Sequence, residues 1–422
     1  MNDHALDFKD LQLGVASAAT QIEGDEKNTN WYRWYTKGKI HDNSSPDITD
    51  KHWELWREDA QLMESLGIKY ARIGLEWARI EPKPHEFDLE VLKRYKAELE
   101  LLKSKNIKAL VTLWHFSNPL WFEDEGGFLN PEAPKLFREY AEKVIIFLGE
   151  DIESWITLNE PNVYALNGYM GGDWPPGHNS IPEMLKIMNT FVTCHIDTYK
   201  LIHQYYPKAL VGTALHVRAF TPLNQHNPWH RFATKMSKKA FQSSLAVAMN
   251  TGKKAFPYKG NTEGKYYDFI GLNYYSRSTC KGLGDGTRAN TPKNDLNWEI
   301  YPEGLTQLCK EYYQQYQAPI FITENGTCDN QDKFRSRYIY EHLKAVLDSK
   351  VPVTRYYHWC FIDNWEWLEG MSKKFGIVNI DPKTLERTVK ESGKFYQQMI
   401  KDQGVSEETY EQYVAHQQYP IR

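Results

Sequence analysis

Eight runs of apolar, β-branched and aromatic residues recur along this chain at strand length, and they constrain its fold more than any other feature. They are "LQLGVAS" from residue 11, "YARIGLEW" from 70, "KALVTLWH" from 108, "SWITLNE" from 154, "ALVGTALHV" from 209, "YDFIGLNYYS" from 267, "PIFITENG" from 319 and "TRYYHWCF" from 354. Their apolar character is nearly continuous, as expected of strands covered on both faces. Helical patterns lie between several of them. In "DKHWELWREDAQLMESLG", Trp53, Trp56, Ala60 and Met63 fall at helical spacing, with Asp50 placed to cap the start and Gly67 the end. In "FDLEVLKRYKAELELLKSKN", Leu89, Leu92, Leu99 and Leu102 recur near the same period between charged residues. With no Pro/Gly/Ser-rich linker between halves, the expected α/β fold is a single (β/α)₈ TIM barrel over residues 1–422, with a polar, only partly ordered tail from about 403. Such barrels build their active sites at the C-terminal ends of the strands. The long segments 162–200 and 218–266 are expected to roof that site.

Charge narrows the partner. The 422 residues carry 51 basic and 55 acidic side chains, spread along the chain for a formal net charge of −4, so no footprint for nucleic acid or anionic lipid is present. A small neutral molecule is the expected partner, and a homo-oligomer is compatible with the sequence. The basic stretch "KMSKKAF" at 235–241 reads as a solvated helix face. The N-terminus lacks the apolar core of a signal peptide and no run reaches the length of a membrane span, which makes the cytoplasm the default expectation. Cys194, Cys280, Cys309, Cys328 and Cys360 are too scattered for a disulfide framework and read as free thiols. No HExxH, clustered Cys/His or dense Asp run suggests a metal, and "GLGDG" at 282–286 opens no helical pattern, so it reads as a turn rather than a phosphate loop. Any catalysis is expected to be cofactor-free.

Two glutamates end expected strands: Glu160 in "TLNEP" after the fourth and Glu324 in "FITENG" after the seventh. A carboxyl pair flanking a glycosidic bond can hydrolyse it, one donating a proton and the other acting as nucleophile or base. Other polar residues fall near strand ends. Arg72 and Glu76 lie on the second, His115 closes the third and Asn159 precedes Glu160. On the sixth, Asn273 and Tyr275 are two apart and face the same way. If that face lines the barrel, Tyr275 can donate a hydrogen bond towards Glu324. An arginine beside the same carboxylate would keep it ionised. Aromatic rings supply flat surfaces for sugar C–H faces, and "YYHWCFIDNWEWLEG" concentrates them around Glu366.

Taken together, "QIEG" at 21–24, "TLNEP", "ITENG" and "DNWEWLEG" resemble glycoside hydrolase family 1, the retaining β-glucosidases and β-galactosidases, across nearly the whole chain. The resemblance implies that Glu160 is the acid/base, that Glu324 is the nucleophile supported by Arg72 and Tyr275, and that Asn159 contacts the sugar 2-hydroxyl. It also implies that Gln21, His115, Glu366 and Trp367 hold the remaining hydroxyls and that Trp359 forms the platform under the ring. A retaining route requires a carboxyl separation of about 5 to 5.5 Å. Repulsion from ionised Glu324 is then expected to raise the pKa of Glu160 and keep it protonated.

The chain departs from the family pattern in two places. "HFS" at 115–117 stands where "HWD" is usual, a change expected in the wall near the aglycone. Relatives acting on 6-phosphorylated sugars usually replace the acid at the position of Glu366 and carry a Ser, Lys and Tyr cluster; here Glu366 is present and Phe375 stands where Tyr is expected. The substrate implied is an unphosphorylated β-glycoside or short oligosaccharide. A 6-phospho-β-glycosidase and a non-catalytic sugar-binding relative are the alternatives.

Overall fold

In a computed structural model describing residues 4–284 and 286–422, eight parallel strands close into a barrel in sequence order. They are β1 (Gln12–Ala16), β2 (Tyr70–Gly74), β3 (Lys108–Thr112), β4 (Ser154–Asn159), β5 (Leu210–Pro222), β6 (Ile270–Cys280), β7 (Ile320–Asn325) and β8 (Val353–Trp359). Each corresponds to one of the eight apolar runs. Alternation divides every strand between two cores. Ala109, Val111, Trp155, Leu272, Ile320, Ile322 and Tyr356 pack outward with the helices. Leu110, Ile156, Ala214, Phe321 and Tyr357 point into the barrel. The interior is plugged by Phe269 stacked on Phe321 at 4.0 Å, with the Arg355 guanidinium 4.6 Å from the Phe321 ring centre.

The outer ring includes α1 (His52–Ser65), α2 (Leu89–Ser104), α3 (Ala133–Leu148) and α4 (Ile181–Tyr205). Helix α3 buries Leu136, Phe137, Tyr140, Val144, Ile145 and Leu148 in one stripe. Helix α2 is capped by the Asp88 carboxylate, which accepts from the backbone N–H groups of Glu90 and Val91.

Several expectations are corrected. Asp50 does not cap α1: the N-cap is Lys51, in the left-handed region at φ 54°, and both Asp50 carboxyl oxygens are buried without a hydrogen-bond partner. Leu89 is 47% exposed while Leu92, Leu99 and Leu102 are buried, because the helix turns its first residue away from the barrel. The segment 181–205 is no roof but the ring helix α4, packed on α3 and β4. Strand β5 runs on to Pro222, its end paired with Cys280, and helices α5 (Pro228–Lys238) and α6 (Ser244–Thr251) follow it, α6 packing on α4.

The polar tail is also structured. Gly404–Val405 pairs antiparallel with Leu6–Asp7, Ser406 caps a helix over Glu407–Tyr413, and Arg422 bonds Asp295 at 3.0 Å. Side-chain anchors of this kind order a segment whose hydropathy alone would not. The "GLGDG" turn includes Asp285, which lies outside the described residues. All five cysteines are free and buried, and among the described residues no helix is long and apolar enough to cross a membrane.

Candidate active site

Parallel strands in register bring their C-terminal ends to one rim. There Arg72 lies beside both Ala16 and Leu110, His216 beside Asn273, and Asn273 beside Glu324. Breaks in register between Ile156 and Asn159, and between Leu272 and Asn273, re-aim the last residues of β4 and β6 into the barrel. Glu160 follows at once, with its backbone in the left-handed region at φ 43° and Pro161 opening the next helical turn. A glutamate pays for that conformation in strain, held here by its N–H bonding the Ala214 carbonyl at 2.7 Å. Glycine is required two residues beyond Glu324: a Cβ on Gly326 would overlap the Trp359 carbonyl.

One hydrogen-bond network joins the two glutamates. Arg72, fully buried, donates Nη1–H to Glu324 Oε1 at 2.5 Å and to the Thr323 carbonyl at 3.1 Å, and Nη2–H to Asn159 Oδ1 at 2.7 Å. Asn273 Nδ2 donates to Asn159 Oδ1 at 3.0 Å and to Glu160 Oε1 at 2.9 Å. Tyr275 donates its hydroxyl to Glu324 Oε2 at 2.6 Å. Asn273 and Tyr275 thus share the barrel-facing side of β6. His115 meets the Asn159 amide at 3.0 Å, and its ring lies nearly parallel to those of Trp359 and Trp367.

The remaining candidates line the same mouth. Gln21 Nε2 donates to the Trp365 carbonyl at 2.8 Å and to Glu366 Oε2 at 3.2 Å, while its Oε1 is buried without a partner. An orphaned buried acceptor is costly unless a ligand hydroxyl meets it. Phe375 packs edge-on to Tyr275 at 6.3 Å. Glu76 is not among this group: it lies beyond β2, capping a short helix, and accepts from Thr20 and Ser117. Ser117, in the "HFS" departure, turns its hydroxyl to Glu76 Oε1 at 2.8 Å. His115 lies three residues past the end of β3 rather than on it.

The electrostatics reverse the expected order of the two glutamates. Burial pushes Glu324 up to about 7, with Arg72 pulling down and the Glu160 charge adding to the rise. Burial also pushes Glu160 up, but the His216 imidazole, the Asn273 amide and the Arg72 charge together outweigh it and hold that carboxyl below its usual range. Burial and the Glu324 charge push Glu366 up to about 8. His115 is held far below its usual value by burial and by Arg72. The group that upsets the order is His216, whose Nδ1 lies 2.9 Å from Glu160 Oε1. Sequence reasoning passed over it. Its signal was present as the histidine near the end of the fifth run "ALVGTALHV".

A groove of about 610 Å³ lies at the opposite, N-terminal end of the barrel, lined by residues such as Leu11, Gln12, Gly67, Lys69 and Gln397. It has no carboxyl pair and no link to the network above.

The sequence model described as Glycosyl hydrolase family 1 matches residues 7–405. Beta-glucosidase A of Acetivibrio thermocellus is 31% identical, the match covering 94% of this chain and 98% of that protein. The structure of a beta-glycosidase from Pyrococcus horikoshii superposes with a TM-score of 0.88 at 31% identity, covering 98% and 97% of the two chains. A beta-glucosidase from Thermotoga maritima, solved in complex with glucoimidazole, superposes with a TM-score of 0.88 at 28% identity, covering 94% and 99%.

Proposed function

This chain belongs to glycosyl hydrolase family 1, and on that premise we propose that it hydrolyses terminal non-reducing β-D-glucosides, with β-galactosides and β-fucosides as secondary substrates, by a retaining double displacement. One observation carries the reading. Glu160 and Glu324 converge at one rim through the shared partners Arg72, Asn159 and Asn273. Ionised Glu324 attacks the anomeric carbon while Glu160 protonates the departing oxygen; water then reverses the step with Glu160 as base. Tyr275 and Arg72 hold the nucleophile's two oxygens apart and aimed. Burial raises the Tyr275 phenol far above its usual value, as does the neighbouring Glu324 charge, so it remains a donor throughout.

Gln21, with its unpartnered Oε1, His115, Glu366 and Trp367 suit a pyranose with free hydroxyls, and Trp359 offers it a flat face. Asn159, already committed through Oδ1 and meeting His115 through Nδ2, has one further amide hydrogen to offer the 2-hydroxyl. Against the 6-phosphate alternative, the nearby Lys374 and Ser372 are turned to Asn379 and to the Glu369 carbonyl, and Glu366 is kept to meet a hydroxyl.

The test is Glu324→Gly. Hydrolysis of nitrophenyl β-glucoside should vanish and azide should restore turnover as the α-glycosyl azide; unaltered turnover removes the assignment. A large preference of the wild type for the 6-phosphorylated substrate would transfer the proposal to the alternative.

A further inference from the structure

His216 stands between a catalytic carboxyl and an arginine. Arg218 donates Nε–H to His216 Nε2 at 3.2 Å, and His216 Nδ1 meets Glu160 Oε1 at 2.9 Å. A guanidinium has hydrogens to donate and no lone pair to accept with, so Nε2 must present its own lone pair. The imidazole proton then sits at Nδ1 and points at Glu160. Arg218 is itself positioned, with its guanidinium 5.0 Å from the Phe241 ring centre and its backbone N–H bonded to Gln242 Oε1 at 2.9 Å. The imidazole lies nearly parallel to the Tyr275 ring at 5.9 Å, which fixes its plane.

Resting on the reading of Glu160 as acid/base, we propose that His216 is the positioning residue for its proton and that Arg218 selects the tautomer in which it acts. Oε1 of Glu160 accepts from both His216 Nδ1–H and Asn273 Nδ2–H. An oxygen receiving two donors is the carbonyl-like one, so the transferable proton is carried on Oε2. In the first step the Oε2–H bond breaks, its electron pair stays on the carboxylate, and the proton bonds the glycosidic oxygen as the C1–O bond breaks. In the second step the C1–O bond to Glu324 breaks and frees that carboxylate, the oxygen of water bonds C1, and the proton that water gives up returns to Oε2. His216 keeps its Nδ1 proton throughout.

The lock also explains how Glu160 can serve as an acid at all. A positive charge on His216 would be the largest of the influences that lower its carboxyl, ahead of the hydrogen bonds from His216 and Asn273 and the charge of Arg72. With Nε2 engaged by Arg218 that charge is absent, and burial, the largest single influence on Glu160, favours the protonated carboxyl. The other charged and titratable groups around the pair are Arg72 from β2, Tyr275 and Arg277 from β6, Glu324 from β7 and Glu366 beyond β8. Arg277 is paired with Glu299. A cavity of about 100 Å³ bordered by His216, Arg218, Tyr275, Thr287 and Trp298 gives the imidazole access to solvent protons once Arg218 is removed.

The experiment compares His216→Ala, His216→Asn and Arg218→Met on two β-glucosides, one with a dinitrophenyl leaving group and one with an alkyl leaving group, across pH. His216→Ala should lose about tenfold in kcat/KM on the alkyl glucoside and under about twofold on the dinitrophenyl one, because only the former needs full proton donation. His216→Asn, whose amide can place an N–H near the Nδ1 position, should recover most of the loss. Arg218→Met should move the alkaline limb of the alkyl-glucoside profile down by about one pH unit, as a charged imidazole pulls Glu160 down. Simple loss of the arginine's charge would move it up. Equal losses on both substrates, no recovery with Asn, or an unmoved or upward limb each overturn the proposal. If His216→Ala does not fold, the Arg218→Met profile decides alone. Glu160→Ala is the control for the underlying reading: a leaving-group split there without one at His216 rejects only the present inference, and no split at Glu160 rejects the acid/base assignment itself.

Discussion

Replacing Arg72 with methionine isolates the electrostatic support of the nucleophile. Arg72 is buried, and its guanidinium reaches Glu324, the Thr323 carbonyl, Asn159 and Thr112. With arginine present, Glu324 sits at about 7, so about half of it is ionised at neutral pH in the empty site. An adjacent opposite charge is worth about one to three pKa units. Without it the ionised fraction at pH 7 falls to between about 10% and about 0.1%, a loss of about 5- to 500-fold in kcat/KM. The acid limb of the pH profile should therefore rise by about one to three units, and activity should return as the pH is raised. The assay is kcat/KM on nitrophenyl β-glucoside from pH 5 to 10.

The same substitution has a stability signature. A carboxyl raised in the folded state contributes stability that is complete below its unfolded pKa and lost as pH rises through the folded one. The variant should accordingly be most stable in acid and weaken progressively towards alkaline pH. An acid limb that stays in place, with activity lost uniformly at every pH, would refute the argument and leave Arg72 a purely geometric part.

Tyr275→Phe removes one charge-assisted hydrogen bond to Glu324; kcat/KM should fall by about tenfold or more, with the acid limb rising in the same direction as for Arg72→Met. Glu366 is raised to about 8, so its contribution is present below about 4.5 and lost as pH rises through about 8; Glu366→Gln should be more stable than wild type at pH 9 by on the order of 5 kcal/mol in urea unfolding, while its KM for glucosides rises. Away from the site, His52 is bonded to Asp59 at 2.8 Å and Glu98 at 2.9 Å. Burial lowers its pKa, but the two carboxylates prevail and carry it up to about 10, while Glu98, itself raised by burial, is drawn down to about 2. His52→Leu should cost up to about 3 kcal/mol at pH 7 by removing the cation between two buried carboxylates and leaving Glu98 with Arg94 and Asp59 with Arg387. In wild type the His52 contribution is complete below about pH 6.5 and is lost as pH rises through about 10, and the Glu98 contribution is complete above about 4.5 and is lost as pH falls through about 2, whereas the variant should show a shallower dependence at both ends.

The barrel was legible because its evidence is local. A strand buried on both faces must be apolar along its length, and each of the eight runs declares that without reference to the others. The positions of Glu160, Glu324, Arg72, Asn273 and Tyr275 were legible for a related reason, since polar residues at the ends of such runs converge once parallel strands close. Their roles and the sugar-binding positions came from the family motifs, as periodicity does not distinguish one strand-end glutamate from another. Glu76 shows the limit of local pattern. It sits two residues past its strand, where the chain has already turned, and so serves Thr20 and Ser117 instead of the sugar.

Only closure of the barrel decided which distant residues meet. Asp50 was read as a cap from its neighbours, but the chain entering at Lys51 is left-handed and the carboxylate is carried inward. The tail from 403 looked unanchored until Leu6–Asp7, nearly four hundred residues away, supplied its strand partner. The same holds for the proton. Glu160, Glu324 and His216 come from three strands, and the fields that order their charges depend on separations of a few ångströms that no spacing along the chain encodes. Sequence by itself determined a layered apolar pattern and the chemistry available at its edges. Tertiary structure decided which side chains surround each carboxyl, because burial and close partners are set by segments that meet only when the barrel closes.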